Sequence, residues 1–271
     1  MSVRSALLRG RDCERIGAID TVAEGPAGIA LSRGGAGKVY DYTDPNEDCC
    51  LFALGEGGVL IAVADGHHGE FGSRTLLEAI EQDLAPAACA AVPPATDSEG
   101  WCDWLYAGVR DATAAIRRYS GDHHVEIAPT TLALAIVRPV DAHWGWCCVG
   151  DSHVFRVDAS AAHDLGPRGR ASGHQYFLGK PEESWHREAT SLGFEPLGDT
   201  RSIVLASDGL SEKDIGLDDP AAAVLETVNA AEAYPSGVRS QRLVRALAER
   251  ANASHRARRS GDNIAVAAVG P

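Results

Sequence analysis

Short, unbroken apolar runs recur along the chain: Cys49 to Leu54, Val59 to Ala64, Leu132 to Val137, Trp144 to Val149, Val154 to Val157, Ile203 to Ala206 and Ile264 to Val269. Runs of this length without polar alternation predict strands buried on both faces. Apolar residues recurring every three or four positions predict helices over roughly 71–84, 101–119, 220–233 and 239–254. The strands come in pairs joined by short turns, "LGEGG" at 54–58 and "RPVDAH" at 138–143. Hairpins and antiparallel sheets with helices over their faces follow, an α+β arrangement. There is no internal repeat. "AAVPPATDSEG" at 90–100 is the most loop-like stretch and joins two helices.

Composition narrows the picture. The chain has 271 residues, 45% hydrophobic and 23% charged, enough for a large core in one domain spanning 1–271. No apolar run approaches the ~20 residues of a membrane helix. The opening "MSVRSALLRGRD" lacks the apolar stretch of a signal peptide, so a cytoplasmic location away from membranes is expected. The seven cysteines, two pairs of them adjacent inside apolar runs, read as reduced core residues. A formal charge of −13 opposes nucleic-acid binding, which draws on phosphate neutralisation.

The acids sit at strand ends. Val59 to Ala64 runs into Asp65-Gly66-His67, Trp144 to Val149 into Gly150-Asp151-Ser152, and Ile203 to Ala206 into Ser207-Asp208-Gly209. Glu47-Asp48 precedes Cys49, and Asp262-Asn263 precedes Ile264. An antiparallel hairpin places the end of one strand beside the start of the next, so Glu47 and Asp48 should approach Asp65. Crowded carboxylates repel, and either a raised pKa or a bound cation relieves them. With only oxygen ligands, that cation would be Mg²⁺ or Mn²⁺ rather than zinc. Asp-Gly is also a common hairpin turn, so pattern alone leaves turn and metal readings both open.

At these residues the chain resembles a known family. "NED" (46–48), "VADGHHG" (63–69), "PTT" (129–131), "VGDSHVFRV" (149–157), "LGDTRSIVLASDGLSE" (197–212) and "GDNIAVAAV" (261–269) resemble, in order, the motifs of the PPM, or type 2C, metal-dependent Ser/Thr protein phosphatases. The resemblance spans about 46–269. It implies a four-layer αββα sandwich of two antiparallel sheets flanked by helices, with a binuclear metal site at one end. Carried over, Asp65 would bridge two Mg²⁺ or Mn²⁺ ions, Glu47 and the Gly66 carbonyl would hold one, and Asp208 and Asp262 the other. Asp48 would act through metal-bound water, and Asp151 with Asp208 would hold a third ion. Thr131 and Asn263 fall in the same motifs as supporting residues.

The implied reaction is hydrolysis of phosphoserine or phosphothreonine in a phosphoprotein by metal-activated water, opposing a cognate Ser/Thr kinase, with His67 protonating the leaving oxygen. The sequence departs from the family at three places. Thr43 stands where an arginine usually grips the phosphate, so either a different cation, such as Lys38, takes that role or substrate binding is weak; His153 replaces the arginine of G-D-S-R, and Pro129 a glycine. Thr43 keeps two alternatives open: a pseudophosphatase used as an interaction module, and a hydrolase of small phosphate esters. His68 stands at a usual glycine and reads as an exposed turn residue, or else an auxiliary acid or metal contact; His123-His124 reads as a solvated loop before a Pro129–Thr131 strand, with metal binding as the alternative. The flap segment, 168–195, reads as a mobile surface loop. Seven arginines between 239 and 259 read as a solvated face, or else a docking patch for an acidic partner.

Overall fold

The computed structural model describes residues 3–38, 42–166, 176–180, 187 and 190–270. The strands are β1 (Arg4–Arg9), β2 (Asp20–Glu24), β3 (Ala27–Ser32), β4 (Cys49–Leu54), β5 (Val59–Ala64), β6 (Leu132–Arg138), β7 (His143–Val149), β8 (His153–Val157), β9 (Ala162–Asp164), β10 (Ser191–Pro196), β11 (Ser202–Ala206) and β12 (Ile264–Val269). They form two six-stranded antiparallel sheets, ordered β1-β4-β5-β6-β7-β10 and β2-β3-β12-β11-β8-β9. Helices α1 (Phe71–Ala79), α2 (Ala85–Ala88) and α3 (Ser98–His123) accompany the first sheet, and α4 (Pro220–Ala231) and α5 (Ser236–Arg258) the second.

Three apolar clusters define four layers, and strand alternation assigns residues to them. In β4, Cys49, Leu51 and Ala53 face α1 and α3, whereas Cys50, Phe52 and Leu54 face the other sheet. In β12, Ile264, Val266 and Ala268 face α4 and α5, whereas Ala265, Ala267 and Val269 face inward. Burial on both faces is why these strands read as continuous apolar runs. Phe52 is 1% exposed between the sheets, where truncation to alanine should cost about 3–5 kcal/mol.

The adjacent cysteines follow the same alternation. Cys147 faces the helices and Cys148 the inter-sheet core, so neighbours in sequence lie on opposite faces. All seven are free thiols; burial pushes Cys49 and Cys147 up to about 12, so both are inert.

Several boundaries differ from the sequence pattern. Edge and small-residue strands β1, β2, β3, β9 and β10 carry no long apolar run, and pairing supplies what their composition does not. The last part of the 168–195 segment is strand β10, on the edge of the first sheet; most of its remainder lies outside the described residues. The helix predicted over 71–84 continues through a π-helical turn, Ile80–Leu84, into α2. Helix α3 starts at Ser98, where the Asp97 carboxylate accepts from the Gly100 N–H at 2.8 Å, and runs to His123. The His123-His124 pair is therefore a helix end and not a loop: His124 is the left-handed cap (φ 55°), and His123 stacks on Tyr119 at 4.0 Å. Pro129–Thr131 is not a strand either, since Thr130 forms only isolated bridges to Gly66 and Leu178.

Candidate metal centre

Pairing register brings the acids to one end of the sandwich. In the β4–β5 hairpin Cys49 pairs with Ala64, so Asp48 and Asp65 flank the same edge. One step further the Gly66 N–H donates to the Glu47 carbonyl at 3.2 Å. In the other sheet Ala206 pairs with both Val266 and His153, which gathers the exits of β11 and the entrances of β12 and β8. Asp208, Asp262 and Asp151 leave from those three points. One carboxylate oxygen each of Asp65, Asp151 and Asp208 lie within 4.8 Å of one another.

Hydrogen bonds fix the supporting backbone. The Asp65 N–H donates to Thr131 Oγ1 at 3.1 Å, Thr130 Oγ1 donates to the Asp65 carbonyl at 2.8 Å, and Thr131 Oγ1 meets Ser152 Oγ at 2.8 Å. Asn263 Oδ1 accepts from the Glu47 N–H at 2.9 Å, and its amide donates to the carbonyls of Arg33 and Pro45. The two sheets are thus tied together at this end. His153 joins Asp164 (2.7 Å) to Ser211 (2.6 Å), linking the Asp151 loop to the turn after Asp208.

Electrostatics distinguish the acids. Glu47 Oε1 accepts three backbone N–H groups, from Thr43 (2.9 Å), Asp44 (3.1 Å) and Gly69 (2.7 Å). Asp48, 1% exposed, has one carboxylate oxygen, Oδ2, that is buried with no hydrogen-bond partner. Burial first, and then the charge of Asp262, raise its pKa from 3.8 to about 7. Burial and the charges of Asp208, Asp48, Asp262 and Asp151 push Asp65 well above the carboxylate range, and Asp208 follows through burial, Asp262 and Asp151. Lys38 reaches in, its Nζ 3.2 Å from Asp262 Oδ1 and 4.0 Å from Glu47 Oε2. Burial works against its ammonium, yet Asp262, Asp48, Asp65 and Glu47 together raise its pKa.

Among the described residues, the Lys38 ammonium does not by itself balance this many acids. An orphaned buried oxygen, carboxylates held above their ordinary pKa and an all-oxygen donor set fit hard divalent cations. His67 stands beside the cluster, its Nδ1 3.9 Å from Asp65 Oδ1 and its ring 4.4 Å from that of Phe177. Burial lowers its pKa, opposed by Asp151, Glu47 and Asp262. His68 is exposed at φ 65°, a left-handed conformation that explains why glycine suits this position. Thr43 is exposed, and its backbone, not its side chain, serves Glu47.

Several further residues support the site, Asn46 from within the "NED" motif and others without a motif of their own. Asn46 is buried, accepting from the Asp48 N–H and donating to the Cys13 carbonyl. Ser73 donates to the Glu47 carbonyl from α1, and Phe177 packs on His67 from far along the chain. The arginine-rich segment forms the outer face of α5, where Arg245 pairs with Glu249, Arg250 with Glu226 and Arg258 with Asp218.

Comparison with known proteins places this geometry. The sequence profile of protein phosphatase 2C matches residues 39–248. No curated protein sequence matches. Among solved structures, a bacterial serine phosphatase is similar at 15% identity and TM-score 0.63, covering 92% of this chain and 99% of its own. A serine-threonine phosphatase 2C from Toxoplasma gondii is similar at 16% identity and TM-score 0.63, covering 98% of each chain. The catalytic domain of the serine threonine protein phosphatase PstP, solved with two manganese ions, is similar at 20% identity and TM-score 0.57, covering 93% of this chain and 98% of its own. These likenesses share the fold.

Proposed function

Because the chain belongs to the protein phosphatase 2C family, we propose that it is a metal-dependent phosphoprotein phosphatase acting on phosphoserine and phosphothreonine. The observation that carries this reading is the convergence of Asp48, Asp65, Asp151, Asp208 and Asp262 at one end of the sandwich, with Asp48 Oδ2 left without a partner. The domain spans 1–271.

Asp65, Glu47 and the Gly66 carbonyl would hold one Mg²⁺ or Mn²⁺, Asp65, Asp208 and Asp262 a second, and Asp151 with Asp208 a third. When bound, such ions make water nucleophilic at neutral pH and neutralise phosphoryl charge. The protein's own groups do the rest. Thr130 and Thr131 hold the Asp65 backbone, Asn263 holds that of Glu47, and three N–H groups fix one Glu47 oxygen. His67, one third exposed at the rim of the cluster, gives a proton to the departing serine or threonine oxygen. Lys38 supplies positive charge to the phosphate where Thr43 cannot, being placed between Asp262 and Glu47. Its substrate is a phosphoprotein made by a cytoplasmic Ser/Thr kinase; among the described residues no helix is long and apolar enough to cross a membrane.

Thr43 leaves room for a second reading, hydrolysis of small phosphate monoesters, since at that position the grip on phosphate is left unspecified. One assay separates the readings: p-nitrophenyl phosphate and a phosphothreonine peptide, each with Mn²⁺, with EDTA, and with Asp208→Asn. Turnover of both substrates that requires Mn²⁺ and Asp208 supports the phosphatase; turnover of the small ester alone supports the second reading. No turnover under any condition, the outcome for an interaction module, overturns both.

A further inference from the structure

We propose that His255 is a positioning residue for the metal centre, fixing from helix α5 the two turns that carry Asp208 and Asp262. The inference rests on the reading of those acids as metal ligands. His255 is fully buried, and a buried imidazole is tolerated only where both ring nitrogens find partners. Nε2 lies 2.9 Å from the Gly209 carbonyl, which can only accept, so Nε2 bears the proton. Nδ1 then accepts from the backbone N–H groups of Gly35 (3.4 Å) and Asp262 (3.5 Å). One ring therefore joins the residue after Asp208, the backbone of Asp262 itself and the loop that follows β3.

The packing around the ring explains why a side chain there controls backbone position. A methyl group on Gly209 would lie 1.8 Å from the Asn263 carbonyl oxygen, and one on Gly34 (φ 101°) 2.2 Å from that of Asp262. The main chains already touch, so their spacing cannot be set by side chains of their own. The face of α5 that bears Leu247, Ala248 and Ala251 packs on apolar strand residues; His255 continues that face to the acid end. An apolar residue there would leave the Gly209 carbonyl and two N–H groups without partners. One turn earlier, buried Asn252 donates to Ser32 Oγ at 3.1 Å, anchoring the helix to the end of β3.

The test uses the full chain, MnCl₂ titrated calorimetrically, and thermal unfolding in EDTA. His255→Phe keeps an aromatic ring and removes all three hydrogen bonds; it should weaken Mn²⁺ binding about tenfold or more. His255→Gln, whose amide retains a donor and an acceptor, should recover most of that loss. Leu247→Ala, a core truncation on the same helix, should lower the unfolding temperature yet leave Mn²⁺ affinity within about twofold of wild type. With saturating Mn²⁺, His255→Phe should keep the wild-type KM for p-nitrophenyl phosphate while its half-saturating Mn²⁺ concentration rises. His255→Ala carries the same expected affinity loss should the larger ring prevent folding. Wild-type Mn²⁺ affinity in His255→Phe, or an equal loss in Leu247→Ala, would overturn the proposal and leave the metal site standing. Absence of Mn²⁺ binding by the wild-type protein would instead overturn the metal reading itself, and this inference with it.

Discussion

The two ends of strand β6 bury charge in opposite ways. At its far end Arg138, 1% exposed, is closed by the protein's own groups: its Nε donates to Asp141, and Nη1 and Nη2 to the carbonyls of Ala88, Ala90 and Ala91 at 2.8–3.1 Å. At its near end Thr131 supports Asp65, where burial and then the charges of neighbouring acids raise the pKa values of Asp65, Asp48 and Asp208. One end is a finished structural ion pair. The other, among the described residues, gathers more acid than the Lys38 ammonium offsets, and it is there that the family motifs converge. Buried charge alone therefore marks no functional site; charge whose balance must come from outside does.

Breaking each end should give different losses. Asp208→Asn removes an acid from the unbalanced end and should lower kcat/KM by on the order of a thousandfold or more, while raising the unfolding temperature in EDTA because repulsion is relieved. Arg138→Met breaks the balanced end, stranding three carbonyls, and should cost about 3 kcal/mol of stability in chemical denaturation. Its kcat/KM at 25 °C should match wild type; a loss there would erase the contrast between the ends. His67→Gln should slow phosphothreonine-peptide turnover about a hundredfold and p-nitrophenyl phosphate less than tenfold, since nitrophenolate leaves without a proton. Equal losses on both substrates would remove His67 as the proton donor. The smallest change expected is a gain: Thr43→Arg should lower KM for the phosphopeptide about tenfold by adding a charged fork for phosphate. An unchanged KM would mean that Lys38 already meets that need.

Much of this contrast was legible in the sequence because antiparallel pairing is local. The runs at 49–54 and 59–64 declared a hairpin, and the hairpin alone predicts that Asp48 meets Asp65, which the Cys49–Ala64 register realises. The apolar runs also carried the antiparallel sheets with helices over their faces, since only strands covered on both faces read so evenly, while the four-layer arrangement followed from the family resemblance. Edge strands such as β1 and β10 were illegible, as one face stays partly exposed and pairing supplies the rest. His123 and His124 looked like loop because the polar "SGDHH" ending hides a helix whose apolar spacing stops at Ile116. The roles of Phe177 and His255 depend on long-range packing around the turns and are set by no local pattern, whereas Asn46 stands in the "NED" motif and accepts from the Asp48 N–H two residues on.

The central claim, that the acid end requires divalent cations, predicts a pH signature. A carboxyl whose pKa is higher in the folded than in the unfolded chain stabilises the fold below the unfolded value, and that contribution is lost as pH rises through the folded value. For Asp48 the window runs from 3.8 to about 7, and the raised pKa values of Asp65 and Asp208 act in the same sense. Protons and metal therefore compete for the same oxygens. Thermal unfolding measured with Mn²⁺ and with EDTA, at pH 8 and pH 5, tests this directly. At pH 8, Mn²⁺ at about a hundred times its dissociation constant should add about 2.7 kcal/mol, or roughly 5–10 °C, and the gain should shrink sharply at pH 5. No gain at pH 8, or the same gain at both values, would contradict the account.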